Sequence, residues 1–340
     1  MPEGTTARFD SAALTAWMAR TLAAMDMPPE DARTIGEGLT SISLRGVDTH
    51  GIAQFPVYVK LIREGAMNVR PKMTITGDGA LLSMEADLAN GYVSMKQAMT
   101  AVIDRARTFG VAAISVGRSG HLGALGHFAG MAAEAGMIGL IAQNGPPLMG
   151  PPGAKRRAIG NNPLAFGMPV PDGPPLIFDI AASEAAYGKI GQTPEGGEIP
   201  EGWALDETGA PTTSREAALA GILLSMAGTK GIGLAMMVEA LAGGLSSTKV
   251  SGFSGPLGGF ALVIDPAGAG GRGAFAANAA EWIAIYRASQ DGARYPGERA
   301  AQVAAERLAA GVPVPETLRA SFAEIGEAVG APFPAPISGG

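Results

Sequence analysis

The sequence predicts a mixed α/β chain, with strands buried in a sheet at its centre and helices at both ends. Two observations predict this. Short apolar runs at 111–116, 138–143, 164–169 and 176–180 are bounded by Gly, Pro or Asp, the texture of strands covered on both faces. Over 10–45, and again from about 275, apolar residues instead recur at helical spacing.

In chain order, Asp10 or Ser11 can cap a first helix whose apolar stripe is Leu14, Trp17, Met18, Leu22 and Met25. Pro28-Pro29-Glu30-Asp31 opens a second helix reaching about Leu44. Proline is tolerated in a first turn, and acids there suit the helix dipole. A glycine-containing turn and a short helix over 58–63 follow, then a strand at 73–76. An amphipathic helix over 93–109 stops at Gly110, and another over 124–135 separates the first two core strands. Residues 190–215 are polar and turn-rich and predict an excursion or long loop. A strongly apolar helix over 231–245, a strand over 260–264, and helices over 278–289, 297–310 and 315–329 complete the chain. The two helical ends, residues 1–72 and 276–340, are expected to pack together, with a core over 73–275 between them.

Composition narrows the function. The net charge of -6 and the lack of any basic stretch speak against nucleic acid as a partner. With no cysteine, disulfides, thiolate nucleophiles and Cys-based zinc sites are excluded. The start of the chain, MPEGTTARFDSAAL, lacks the apolar core of a secretory leader, and no long apolar run suits a bilayer. A soluble cytoplasmic protein is therefore expected. Glycine (50) and proline (25) are spread along the chain, which suits many tight turns rather than a linker.

The chain has three histidines, His50, His121 and His127, each beside glycine. Histidine exchanges protons near neutral pH, and glycine neighbours let another molecule approach the backbone. An isolated histidine in a turn more often caps or packs. His50 stands out because Arg45, Asp48 and Thr49 crowd its turn, whereas His127 falls on the following helix. No histidine pair has the spacing of a helical metal site, and no metal is expected. The stretch Gly117-Arg118-Ser119-Gly120-His121-Leu122-Gly123 follows a strand and opens a helix, where amides can face phosphate. It is not the dinucleotide fingerprint, and a plain tight turn explains it equally well. Lys155, Arg156 and Arg157 form a basic cluster between two strands, and Lys230-Gly231 opens the apolar helix. Arg294-Tyr295-Pro296-Gly297-Glu298-Arg299 precedes a late helix, whose ordinary reading is a charged helix start.

Taken together, several segments resemble the malate/L-lactate/ureidoglycolate dehydrogenase family. They are Leu44-Arg45-Gly46-Val47-Asp48-Thr49-His50-Gly51, Ser119-Gly120-His121-Leu122-Gly123, Pro152-Gly153-Ala154-Lys155 and Gly160-Asn161-Asn162-Pro163-Leu164-Ala165. Phe178-Asp179-Ile180-Ala181-Ala182-Ser183, Tyr187-Gly188-Lys189 and Ile199-Pro200-Glu201-Gly202-Trp203-Ala204-Leu205-Asp206 follow, then Lys230-Gly231-Ile232-Gly233-Leu234 and Tyr295-Pro296-Gly297-Glu298. Their order is kept over nearly the whole chain.

The resemblance implies a non-Rossmann nicotinamide-binding fold with a mixed sheet, flanked by a helical domain built from both chain ends. Residues 1–72 would carry the catalytic histidine and residues 73–275 would hold NAD or NADP. The family also includes sulfolactate dehydrogenases and cyclic imino acid reductases. By resemblance His50 is the proton donor and acceptor, Thr49 orients it, and Lys189 belongs to the catalytic group. Arg45, Gln54, His121, Asn161, Tyr187 and Gly188 are the implied substrate contacts. His121, Leu122, Gly123, Ala124, Leu125, Lys155, Asp179, Ile180, Ala181, Lys230, Gly231, Arg294, Pro296, Gly297 and Glu298 are the implied cofactor contacts.

Two positions discriminate within the family. Gln54 stands where relatives often carry an arginine that grips the substrate carboxylate, so bidentate pairing is lost there. Lys189 stands where imino acid reductases carry Asp, which favours the hydroxy-acid branch. The expected activity is hydride transfer between NAD(P) and a small 2-hydroxy or 2-oxo acid, by a homodimer. The alternatives are reduction of a cyclic imino acid and a binding homologue without activity.

Overall fold

The computed structural model describes residues 6–246, 248 and 255–337; the first five residues of the chain start read above lie outside these. Strand β1 (Ala7–Phe9) leads into α1 (Ser11–Ala24) and α2 (Pro29–Leu44). Asp10 caps α1 by accepting the Ala13 amide at 2.8 Å. Two short 3-10 turns, Asp48–His50 and Ile52–Gln54, precede α3 (Phe55–Arg63). The core follows as β2 (Thr74–Thr76), β3 (Leu81–Glu85), α4 (Gly91–Phe109), β4 (Val111–Ser119), α5 (Gly126–Glu134), β5 (Ile138–Gln143), β6 (Leu164–Met168) and β7 (Leu176–Ile180). An excursion holds α6 (Tyr187–Gln192), β8 (Ala204–Leu205), β9 (Pro211–Thr212), α7 (Arg215–Ala220) and β10 (Ile222–Leu223). The chain returns through α8 (Thr229–Val238) and a π-helical turn, Glu239–Gly244, to β11 (Leu257–Ile264). It ends with α9 (Arg272–Ala288), α10 (Glu298–Ala310), β12 (Val312–Val314) and α11 (Glu316–Ala328).

The main sheet has seven strands in the order β2-β3-β4-β11-β5-β6-β7. Among the described strands of this sheet only β3 and β4 pair in parallel, so the sheet is mixed, as the family resemblance implies. Side chains alternate across a strand, and each face has its own cover. Ile141, Ala261 and Val263 join Ile114, Val116 and residues of α4 and α5 in the main core. Phe260 and Ala142, paired in register, lie on the other face with Val238 and Ala242.

The chain ends meet. β1 pairs antiparallel with β12, and the Trp17 indole donates to the Ala331 carbonyl at 2.9 Å. Its ring centroid lies 5.0 Å from Phe55, 5.0 Å from Phe322 and 4.8 Å from Phe333. Trp17, Phe55 and Phe322 are buried in the same core as the sheet strands, and Phe333 packs against it.

Several expectations need correction. Residues 190–215 are not a plain loop: β8 and β9 join β10 in a three-stranded sheet over a second core of Leu148, Met149, Ile190, Ile199 and Leu223. Strand β3 has no counterpart among the predicted elements, since Leu82 and Met84 are its only buried residues and their neighbours alternate outward. Helix 231–245 starts earlier, at Thr229, and loosens into the π turn. There a side chain on Gly243 would collide with the Glu239 carboxylate and the Asn144 amide. Helix α9 likewise begins before the expected 278, held by Arg272, which bonds Asp265 at 3.0 and 2.7 Å.

Phe322→Ala should destabilise the fold by about 3–5 kcal/mol, the usual cost of deleting a buried aromatic. A urea midpoint unchanged from wild type would show that the two ends contribute nothing to each other.

Candidate active site

His50 ends the first 3-10 turn, and Gly51 follows because no side chain fits there: a Cβ would strike the Ser43 hydroxyl. That hydroxyl instead accepts the Ile52 amide at 2.9 Å, tying the turn to α2. The His50 ring is half-buried, and desolvation lowers its pKa from the ordinary 6.5. Its Nδ1 lies 2.8 Å from the Thr49 hydroxyl. This bond leaves Nε2 for another partner, and among the described residues Nε2 has none. Gln54 serves the same turn, donating from Nε2 to the Thr49 carbonyl at 2.7 Å.

His121 is brought from the loop after β4 to face His50, with ring centroids 5.8 Å apart. Its Nδ1 is 3.5 Å from the hydroxyl of Tyr58, a buried residue of α3. Burial, then the nearby His50, pushes His121 down to about 4. Near neutral pH the second ring is therefore uncharged. Tyr92, at the start of α4, lies against Gly38 and Gly123, and a Cβ on either glycine would collide with it. Its hydroxyl donates to the His50 carbonyl at 3.4 Å.

The segment His121–Leu125 runs from this pair to Asp179 on β7. There Oδ2 accepts the Gly126 amide at 2.7 Å. Asp179 is exposed to solvent, although protein atoms crowd its carboxyl. Desolvation pushes it up to about 6 against the pull of the Gly126 and Leu125 amides. The amide at the start of α5 is thus taken by a carboxylate. The Gly117–Gly123 stretch does not offer it to phosphate, and this narrows the expectation for that stretch.

Other implied contacts gather beside Asp179. Pro296 accepts the Ile177 amide at 3.0 Å, which brings the Arg294–Glu298 segment against β7. A Cβ on Gly297 would run into the Pro175 carbonyl. Glu298 is occupied locally by the Tyr295 amide and Arg287. Asn161 accepts the Ala182 amide at 2.8 Å, next to Ile180 and Ala181. Ala182 in turn accepts the Met226 amide at 2.9 Å, adjoining Lys230 and Gly231. Helix α8 has no side-chain cap at its start, where Ala227, Gly228, Thr229 and Lys230 are all exposed. An uncapped helix start with an exposed lysine suits a phosphate, and the Asp179 carboxylate suits a sugar hydroxyl. The donor set thus fits a nicotinamide dinucleotide.

Not every implied residue joins this group. Lys189 places its ammonium 4.7 Å over the Trp203 ring, and the Tyr187 hydroxyl donates to the Leu219 carbonyl at 3.4 Å. Neither contact involves His50. Gly188 has open space around it. Arg45 reaches toward α5, with Nη2 3.8 Å from where a Cβ on Gly130 would stand. Lys155 is exposed, whereas the half-buried Arg157 binds the Leu219, Ala220 and Gly221 carbonyls at the end of α7. Arg157 therefore acts as a helix stop within the basic cluster. Among the described residues no cluster is arranged to hold a metal ion.

Sequence reasoning misses Tyr58, Tyr92, Gln143, Asn144, Asn162 and Glu239. The Glu239 carboxylate is bonded by the Asn144 and Asn162 amides at 3.1 Å each, joining the π turn to the loops after β5 and before β6. Gln143 and Asn144 are buried polar residues at the end of a strand, a signal in a core but not by itself a partner.

His121 and His127 both titrate near 4 in the fold against an ordinary 6.5. The unfolded chain thus binds more protons between these values, and stability should fall as pH drops from about 6.5 toward 4. Asp179, raised from 3.8 to about 6, acts in the opposite sense, favouring the fold at the acid end of that range. His127→Gln should flatten the acid loss in urea midpoints recorded across this range. An unchanged profile would show that His127 is not held neutral by burial.

Known proteins align with this arrangement. A sequence model of the family described as malate/L-lactate dehydrogenase matches residues 9–322. Malate dehydrogenase of Pyrococcus abyssi is 36% identical over 243 residues, covering 68% of this chain and 67% of its own length. Delta(1)-pyrroline-2-carboxylate reductase of Ancylobacter novellus is 35% identical over 321 residues, covering 90% and 94%. The solved structure of sulfolactate dehydrogenase from Methanocaldococcus jannaschii superposes with a TM-score of 0.88 at 28% identity, covering 96% of this chain and 98% of that one. With a family model matching residues 9–322, a relative 35% identical over 90% of its length and a mixed seven-stranded sheet, this chain belongs to the malate/L-lactate dehydrogenase family.

Proposed function

We propose that the protein transfers a hydride between NAD(P) and a small 2-hydroxy or 2-oxo acid, with His50 as the acid–base residue. The observation that carries this reading is the His50 turn: Nδ1 is held by Thr49, Nε2 has no partner among the described residues, and a neutral His121 ring faces it.

A bound nicotinamide supplies the carbon that takes or gives the hydride. In oxidation, neutral His50 accepts the substrate hydroxyl proton at Nε2; in reduction, protonated His50 returns it to the carbonyl oxygen. The lowered pKa favours the neutral base at physiological pH. Thr49 and Gln54 keep the ring from turning away. His121 is uncharged, so its ring can bond the substrate without repelling a protonated His50. One N–H of the Gln54 amide supports the turn by donating to Thr49, and the second N–H is the one we propose for the substrate, a neutral contact that leaves the carboxylate charge to another residue. We propose as the carboxylate clamp Lys189, which has no carboxylate partner among the described residues and would leave its contact with Trp203 to reach the substrate, with Asn161, Tyr187 and Gly188 as further substrate contacts. Lys230-Gly231 and Asp179 would hold the cofactor.

A second reading, reduction of a cyclic imino acid, is favoured by the 35% identity to the pyrroline-2-carboxylate reductase over 90% of this chain. Purified protein with NADH or NADPH, assayed against 2-oxo acids and cyclic imino acids, separates the two. Turnover of a 2-oxo acid supports the first reading, and turnover of an imino acid alone replaces it with the second. His50→Gln should lower kcat by about 10²–10⁴-fold, the usual worth of general acid–base catalysis. Near-full activity in that variant would sink the mechanism.

We further propose a cytoplasmic homodimer. Among the described residues no helix is long and apolar enough to cross a membrane. Helix α9 exposes Trp282, Ile285 (67% accessible) and Tyr286, side chains that a second copy would cover. Ile285→Asp should convert the dimer to monomer in sedimentation analysis. A wild-type monomer at micromolar concentration would refute the assignment.

A further inference from the structure

Gln143 is the last residue of β5, it is 2% exposed, and both ends of its amide are used on one loop. Its Oε1 accepts the Leu122 amide at 3.0 Å, and its Nε2 donates to the Gly120 carbonyl at 3.1 Å. The two bonds straddle His121. They imitate the pairing of an extra strand residue and leave the intervening side chain to project outward. The same peptide is confined on its other side by the start of α4, since a Cβ on Gly91 would collide with the His121 carbonyl. Gln143 itself is anchored by its register opposite Gly259 of β11.

We propose that Gln143 is a positioning residue: through its two bonds to the Gly120–Leu122 loop it sets the place of the His121 ring opposite His50. The inference rests on the reading of His50 as the acid–base residue and of His121 as the neutral ring that bonds the substrate beside it. Asn144 and Glu239 do not substitute for it, since their bonds go to Gly258 and to Asn162 and Asn144 respectively. A leucine at 143 keeps the volume and removes both bonds. The loop then has no partner for the Leu122 amide, and a buried amide left unpaired drives a local shift. A displacement of about 1 Å at a reacting group costs on the order of 10²-fold in rate.

The test needs no turnover for its main readout. With three histidines in the chain, selective 15N labelling of the full-length protein yields three imidazole signal sets, assignable by single replacements. In Gln143→Leu the His121 and His50 signals should move more than those of His127. Unmoved His121 signals, or three sets shifted alike, would overturn the proposal. If Gln143→Leu fails to fold, Gln143→Glu keeps the acceptor for Leu122 while placing a carboxylate against the Gly120 carbonyl, and the same criterion applies. On a substrate that the wild type turns over, Gln143→Leu should lower kcat/KM by about 10–100-fold. Once His121→Phe is present, the further loss should be under about 3-fold, because both changes then act on one group. An equal loss in both backgrounds would mean that Gln143 acts elsewhere. Absence of turnover in the wild type would remove the proposed function and leave the imidazole criterion standing.

Discussion

Close backbone approach around one aromatic ring governs the site. Tyr92 is wedged between Gly38 of α2 and Gly123 of the loop before α5, in space that exists because both lack a Cβ. Its hydroxyl reaches the His50 carbonyl, and burial raises its pKa so that it stays a neutral donor. A helical segment near the chain start and a loop from the sheet are thereby held within one ring's width. The facing of His50 and His121 depends on that spacing.

The sheet supplies the second constraint. Strands β5 and β6 end at Gln143 and begin near Asn162, and both ends carry buried amides rather than hydrophobic side chains. Each amide is satisfied: Gln143 by the His121 loop, Asn144 by Gly258 and Glu239, Asn162 by Gly145, Ala235 and Glu239. In a low-dielectric interior an unpaired amide is costly, so a satisfied network holds its loops in one arrangement. The π turn at Glu239 belongs to this network. It delivers a carboxylate to two asparagines that a regular helix with a larger residue at 243 would crowd out.

Much of the fold was legible because it follows local rules. The apolar runs became β4 to β7, Asp10 capped α1, and Gly110, with φ of 77°, ended α4 in the left-handed conformation. Elements that rest on distant partners were not legible. β1 and β12 are three residues each and exist by pairing with one another across the length of the chain. β8 to β10 are two residues each, too short for any periodicity to show, and only the second core gives them an inside.

The same division runs through the site. The sequence by itself determined the chemistry on offer: a histidine beside a hydroxyl residue, glycine-flanked partners, and no thiol. These follow from residue identity and from neighbours along the chain. Gln54 shows the limit, because its type suggested a weakened substrate contact while its amide is bonded to the Thr49 carbonyl. Only the tertiary structure decided that His50 faces His121, that Asp179 takes the amide at the start of α5, and that Gln143 brackets the His121 loop. Each is a contact between residues far apart in sequence, fixed by strand register and by glycines that allow close approach, and none is written in local periodicity.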